Sequence, residues 1–493
     1  MDLIPLEIIT GAMGSVFQIN ILLWIFAGVI IGFIFGASPG LTATTGVAIA
    51  TPLTFGVSFE VAMALLLGIY SAGYFAGSIP AILINTPGSP GNAATAVDGY
   101  KLARKGKADL AISLAVVASG FGAIFSIMAL MVAAPNLANF ALQFTSVEYF
   151  ALGLFGLICV AAVSGGSPVK GIIAASFGMF LGTVGIDDVG GMMRFSLGVP
   201  ELQGGIPLVP ALIAFFAVAE MLQQASSKTG QGVAVSQTVH PIVKLPGIMV
   251  RHGWLLLRSS ITGTLIGILP GTGPTIASWI AYGQSGSAQA KDETAGSTRG
   301  IIASESANNA VTGGALVPLL TLGIPGDTVT AVLIGALLIQ GIDPGPFFIF
   351  ENSDLFAQIL VILSVAAMFT VIIGLAARRV LPKLLDVPVR IQLPVIAVLC
   401  ATGGFAISHS PFEVGVIAVL GIVGYIFVRF GFPMAPIVIG LVLGPIIETN
   451  LRNGLTANDM DATIFVTRPI SATLLAIIVL TLLWSFIRRR KGV

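Results

Sequence analysis

Two acidic residues, Glu305 and Asp327, stand among asparagine, threonine, glycine and proline in a chain that is otherwise strongly apolar. A carboxylate inside a membrane is costly to keep, so its presence points to work with an ion or a proton. Asn308 and Asn309 lie within about one helical turn of Glu305, and amide, hydroxyl and main-chain oxygens are the ligands a hard cation prefers. Glu305 also has a second reading, a place at the water boundary, because residues 284–309 are polar overall.

Four glycine and proline clusters are the other source of chemistry, and they repeat. Gly32-x-x-x-Gly36-Ala37-Ser38-Pro39 recurs as Gly267-x-x-x-Gly271-Thr272-Gly273-Pro274. Further on, Pro80 followed by Pro87-Gly88 recurs as Pro318 followed by Pro325-Gly326, and each copy then reads Thr-Ala-Val, at 95–97 and 330–332. Proline removes a backbone donor and glycine accepts angles other residues resist, so the clusters interrupt helices. In a bilayer such interruptions survive only where protein or a water-filled cavity covers them.

The motifs contain no Arg or Lys, so an anion must be met largely by the backbone. Short helices starting after Pro39-Gly40, Pro87-Gly88, Gly273-Pro274 and Pro325-Gly326 would aim free N–H groups and a positive dipole end at it. Ser38, Thr42, Asn85, Thr86, Thr275 and Thr328 offer hydroxyls and amides to orient it. For a single hydroxyl the competing reading is a bond to the carbonyl one turn back, and for a single cluster a close helix contact. Asp98, beside a basic run, reads as a helix cap or a partner of Lys101.

Other motifs lack their context. Gly36-Ala37-Ser38-Pro39-Gly40 fits a nucleophile-elbow pattern, but it needs a preceding strand and a histidine base, whereas His240, His252 and His409 fall in loops. Ser167-x-x-Lys170 and Gly283-x-Ser285-Gly286 stand alone, and no phosphate-binding loop of the Walker type is present. Cys159 and Cys400 sit in apolar segments as small hydrophobes. The reading is therefore not an enzyme, with no metal and no cofactor beyond a coupling ion.

These groups need membrane helices to position them. The 493 residues are 56% hydrophobic and 9% charged, with mean hydropathy +1.00, far from the charge content of a soluble domain. A formal net charge of +1 with no concentrated basic face excludes nucleic acid as a partner. Spans are expected near 19–36, 58–84, 109–134, 147–165, 168–186, 205–223, 254–270, 355–377, 391–408, 412–430, 432–447 and 468–487. Residues 1–20 lack the basic region of a cleavable signal, so the first hydrophobic helix is expected to stay.

Basic residues set an orientation. Lys101 to Lys107, Lys228 to Arg258, Arg378 to Arg390 and Arg488 to Lys491 mark inside segments, and the acidic stretches 187–201, 343–354 and 448–461 fall outside. The two motif copies then enter the membrane in opposite directions, the pattern of an inverted-repeat carrier with its site where the repeats meet. The expectation is an all-α polytopic membrane protein of about 12 transmembrane helices, two inverted-topology repeats with broken or re-entrant helices. Its parts are an N-terminal half, 1–225, a cytoplasmic linker, 226–260, and a C-terminal half, 261–493.

The chain resembles the large membrane subunit, TctA-like, of the tripartite tricarboxylate transporters. The resemblance rests on Gly-Ala-Ser-Pro-Gly-Leu at 36–41, Asn-Thr-Pro-Gly at 85–88 and Asp98-Gly99-Tyr100 before the basic run. It rests also on Ala-Asn-Asn-Ala at 307–310 running into Gly-Gly-Ala at 313–315, and on Gly-Ile-Pro-Gly at 323–326. The resemblance implies import of a citrate-like or other carboxylate across the bacterial cytoplasmic (inner) membrane, coupled to Na⁺ or H⁺. It implies two partners, a small membrane subunit (TctB-like) and an extracytoplasmic solute-binding protein (TctC-like). An anion channel lined by the same motifs, or a carrier without a binding protein, is the alternative.

Overall fold

Backbone polar groups in hydrocarbon must be satisfied within their own segment, and the long apolar runs accordingly fold as helices. The computed structural model describes residues 5–38, 40–163, 167–226, 245–271, 273–287, 296–378 and 380–490. Pro39, Thr272 and most of the expected linker, 227–244, lie outside the described residues.

Among the described residues, eight helical stretches are long and apolar enough to cross a membrane, among them Ile19–Ala37, Phe59–Ile84, Leu208–Ser226 and Ser353–Ala377. Shorter apolar helices join them, including Ser146–Ala162, Pro168–Gly182 and Thr328–Ile339. The chain is an all-α polytopic membrane protein, and its one described sheet is a hairpin that pairs Gly185 with Arg194 and Ile186 with Met193.

One central helix was absent from the expected spans. Thr298–Leu322 runs unbroken through the middle of the protein, and every residue from Gly300 to Thr321 is buried. The water-boundary reading of Glu305 therefore fails, since the residue is fully buried. Hydropathy weighs transfer into lipid, but this helix is wrapped by protein, chiefly Ala108–Ala141, Gly253–Ile268, Gly273–Gln284 and Ala93–Leu102. Ser304, Glu305 and Asn309 find partners on these helices, while Ser306, Thr312 and Thr321 bond carbonyls of their own helix.

The repeated motifs fold alike. Ile19–Ala37 packs on Phe59–Ala76, as Gly253–Ile268 packs on Thr298–Leu322. Ser78–Ile84 ends on Asn85 at φ 57°, and Thr298–Leu322 ends on Gly323 at φ 68°. In both, a proline carbonyl accepts the closing bond: Thr86 N–H to Pro80 O and Ile324 N–H to Pro318 O, each 3.3 Å. This is the left-handed helix ending that favours glycine and tolerates asparagine. The copies interlock, because Ala108–Ala141 lies along Thr298–Leu322 while Ser353–Ala377 lies along Phe59–Ala76.

Candidate functional site

All four clusters break their helices, and the breaks touch in a closed ring. Ile19–Ala37 stops before the first cluster and the chain restarts as Ala43–Ala50. Gly88 lies so near Gly36 that a Cβ on it would stand 2.3 Å from the Gly36 carbonyl oxygen. Gly91 meets Pro274 across the copies, its built Cβ 3.0 Å from that ring's Cβ. The Gly271 N–H donates to the Gly326 carbonyl at 2.9 Å. Thr328 closes the ring, its hydroxyl 2.8 Å from that of Thr44.

The two carboxylates sit against the ring, Asp327 in one break and Glu305 bonded to Asn92 just past another. Asp327 caps Thr328–Ile339: its Oδ1 accepts the Thr330 N–H at 2.7 Å, and the Thr330 hydroxyl faces back to the Asp327 N–H at 2.8 Å. Its Oδ2 accepts the hydroxyls of Tyr70, at 2.7 Å, and Tyr74, at 2.6 Å. Glu305 Oε1 lies 2.5 Å from the Thr95 hydroxyl and 3.2 Å from Asn92 Nδ2, and its Oε2 accepts from Ser119 at 3.0 Å. Among the described residues no Lys or Arg ion-pairs with either acid.

The same residue joins both acids. Tyr74 gives its hydroxyl to Asp327, while its carbonyl accepts Nδ2 of Asn92 and of Asn308, each at 3.1 Å. Asn309 donates to Ser119 at 2.8 Å and so braces the Glu305 shell. Asn308 Oδ1 is buried with no hydrogen-bond partner among the described residues. A buried, unmatched amide oxygen near two carboxylates is a ready acceptor for a cation or a donor proton.

Not every expected site residue joins this cluster. Asn85 and Thr86 are exposed, and the Thr86 hydroxyl bonds only the nearby Ile84 carbonyl, at 3.4 Å. Ser38 is buried but donates to Ile34 O one turn back at 2.7 Å, so it holds its own helix. Thr42 caps Ala43–Ala50 by accepting the Thr45 N–H at 3.2 Å. Pro87, Gly271, Gly273, Pro274 and Thr275 are half-buried at the breaks; Pro325 and Gly326 are buried, and Gly40 takes φ +82°.

Several residues around the acids escape a sequence reading. Tyr70 and Tyr74 lie one turn apart on an apolar helix, and that polar-tipped spacing was the available signal. Asn92, Thr95 and Ser119 carried none. At the first break, Gln224 donates to the Gly40 carbonyl and contacts Glu220. The Thr45 hydroxyl reaches Phe216 O at 3.0 Å, in the wide turn Ala214–Val218. Such π-turns free a carbonyl and gather at functional sites.

Residues 22–439 match the model of the tripartite tricarboxylate transporter TctA family. The chain is 37% identical over its whole length to an uncharacterized 52.8 kDa protein in the TAR-I ttuC' 3' region of Agrobacterium vitis, with 99% of that relative covered. A second relative, in the TAR-II ttuC' 3' region of the same organism, is 38% identical over 47% of this chain and 98% of its own length. No solved structure matches the chain. The repeated breaks and the family match along most of its length agree: the chain belongs to the tripartite tricarboxylate transporter TctA family.

Proposed function

We propose that the chain is the large permease subunit of a secondary carrier that imports a small di- or tricarboxylate, coupled to Na⁺ or H⁺. The observation that carries this reading is the closed ring of four helix breaks beside Glu305 and Asp327, joined through Gly36–Gly88, Gly91–Pro274, Gly271–Gly326 and Thr44–Thr328. Two short helices beside it, Ala43–Ala50 and Gly273–Gln284, have no acidic residue in their first turn. Their N-terminal N–H groups are the natural seats for substrate carboxylates. Thr328–Ile339 differs, because its Thr330 N–H is capped by the acidic side chain of Asp327, whereas Ala43–Ala50 is capped by the neutral hydroxyl of Thr42.

The family makes partners part of the reading: a small membrane subunit and an extracytoplasmic solute-binding protein that hands over the substrate. On this view the two halves present the ring alternately to either side of the cytoplasmic membrane, with the C-terminus inside. No catalytic chemistry is needed.

The test places the chain, its small partner and the binding protein in vesicles with labelled di- and tricarboxylates. Accumulation above the bath level under an imposed cation gradient is expected. Equilibration that never exceeds the bath would make it a channel, and uptake unchanged without the binding protein would remove that partner.

A further inference from the structure

We infer that Glu305 exchanges a proton with the Asp98 end of the protein along the hydroxyls of Thr95 and Ser304. The inference rests on the carrier reading and chooses the coupling ion. Thr95 Oγ1 lies 2.5 Å from Glu305 Oε1 and 2.8 Å from Ser304 Oγ, and Ser304 Oγ also addresses Gly300 O at 2.8 Å. Thr95 and Ser304 are fully buried, so these hydroxyls have no bulk water to trade with.

Each hydroxyl in this row has a donor and an acceptor neighbour, so the row has two complete arrangements. With Glu305 ionised, Ser304 donates to Thr95 and Thr95 donates to Glu305. With Glu305 protonated, Glu305 donates to Thr95, Thr95 to Ser304, and Ser304 to the Gly300 carbonyl. The first becomes the second when one proton arrives at Ser304 Oγ, the Ser304 proton moves to Thr95 and the Thr95 proton moves to Glu305. One proton enters and no other atom changes hands.

Asp98 stands at the far end of the row. It lies one turn beyond Thr95 on Ala93–Leu102 and is buried. Its Oδ2 lies over Gly300, where a built Cβ would be 1.9 Å away, and has no hydrogen-bond partner among the described residues. Gly300 and Ser304 are one turn apart on their own helix, about 5–6 Å between side-chain positions, the reach of a single bridging water. Beyond Asp98 come Lys101 and the basic segment to Lys107. Asp98 also takes the Ser297 N–H at the start of Thr298–Leu322 and the Tyr282 hydroxyl, with Lys101 close by.

The charged and titratable groups facing the row are few. Tyr70, Tyr74 and Asp327 meet Glu305 through the Tyr74 carbonyl and Asn92, and Tyr282 and Lys101 stand at the Asp98 end. Glu305 is the acid the row ends on, and Asp98 the acid that feeds it.

Infrared difference spectroscopy after a pH jump on the purified chain tests this without any substrate. The wild type should show a protonated-carboxyl band that Glu305→Gln abolishes. Ser304→Ala, Thr95→Val and Asp98→Asn should keep that band at equilibrium but slow its appearance by about 100-fold, the scale of a positioned proton carrier, and Thr95→Ser should restore it. Unchanged rates in Ser304→Ala and Asp98→Asn, or a band that survives Glu305→Gln, would overturn the relay. Because the readout needs no carboxylate, vesicle uptake that persists alongside such a result leaves the carrier reading standing and removes only the proton path.

Discussion

Asn308 donates its side-chain amide to the main-chain carbonyl of Tyr74 at 3.1 Å. In the register that aligns Pro80 with Pro318, Asn308 is the counterpart of Tyr70, and Tyr74 that of Thr312. The Tyr70 hydroxyl correspondingly lies 3.5 Å from the Thr312 carbonyl, at the outer limit of a hydrogen bond. Each copy thus reaches the same carbonyl of the other. The side chains that do so differ, and the difference makes the site asymmetric: the tyrosine goes on to Asp327, while the asparagine lies one turn from Glu305.

Asp327 both caps a helix and accepts two tyrosine hydroxyls, and Asp327→Asn separates the two roles. Asparagine caps nearly as well as aspartate, so the helix start should lose less than about 1 kcal/mol. The tyrosine hydroxyls, however, would lose the acceptor Oδ2, because the amide nitrogen that replaces it only donates. Uptake of labelled carboxylate should fall about tenfold or more while the detergent melting temperature changes little. A variant that melts early yet transports normally would make Asp327 a structural cap alone.

The repeat was legible because proline and glycine announce helix interruptions whatever surrounds them, and Pro80, Pro87-Gly88, Pro318 and Pro325-Gly326 sit at matching spacing. Glu305 and Asp327 were legible as rare acids in apolar sequence. The helix that carries Glu305 was not, because Ser304, Ser306, Asn308, Asn309 and Thr312 lower its hydropathy to that of a loop. Only the fold reveals that Asn92, Thr95 and Ser119 arrive from elsewhere to satisfy it. Tyr74 was hidden for a related reason, since its main-chain carbonyl does half of its work.

Gly88 and Gly326 occupy equivalent places, and adding a methyl to either should destabilise the protein. A Cβ at Gly88 would lie 2.7 Å from the Cα of Gly77, and one at Gly326 would lie 2.6 Å from the Cα of Ala315. Main chain cannot step aside as a flexible side chain can, so each alanine should cost about 1–3 kcal/mol or more. Gly14 has no heavy atom within 4 Å of its built Cβ, and there alanine should add about 0.5–1 kcal/mol through helix propensity. Melting temperatures of the three variants in one detergent check the contrast, and equal shifts would defeat it.

The hairpin between Gly185 and Arg194 is fastened by charge. Asp187 accepts a hydrogen bond from Arg452 and further ones from the Val189 N–H, Arg194 and the Gly190 N–H, which together hold its carboxyl well below the usual range. A depressed native value contributes stability that is full above the unfolded value, about 3.9, and is lost as pH falls through the lower native one. A spin label at Met192→Cys should therefore keep constant mobility from about pH 8 to about pH 5 and loosen only below about pH 4. Loosening between pH 7 and pH 5 would assign the fastening to another group. Arg452→Gln should loosen the label already at neutral pH.

Arg378 Nε donates to Asp109 Oδ1 at 2.7 Å, with side chains 11% and 2% exposed. Asp109 lies in the first turn of Ala108–Ala141 and Arg378 follows the last turn of Ser353–Ala377, so each charge also complements the dipole of its own helix. The pair ties the copies together where these helices pack. Arg378→Gln alone leaves the buried carboxylate without its guanidinium and should cost about 3–5 kcal/mol. Asp109→Asn in the same chain removes the stranded charge, so the double variant should melt above the Arg378→Gln single variant. A double-mutant cycle on melting temperatures reads the coupling directly: if the double variant melts at or below the Arg378→Gln single, the pair does not hold these helices together.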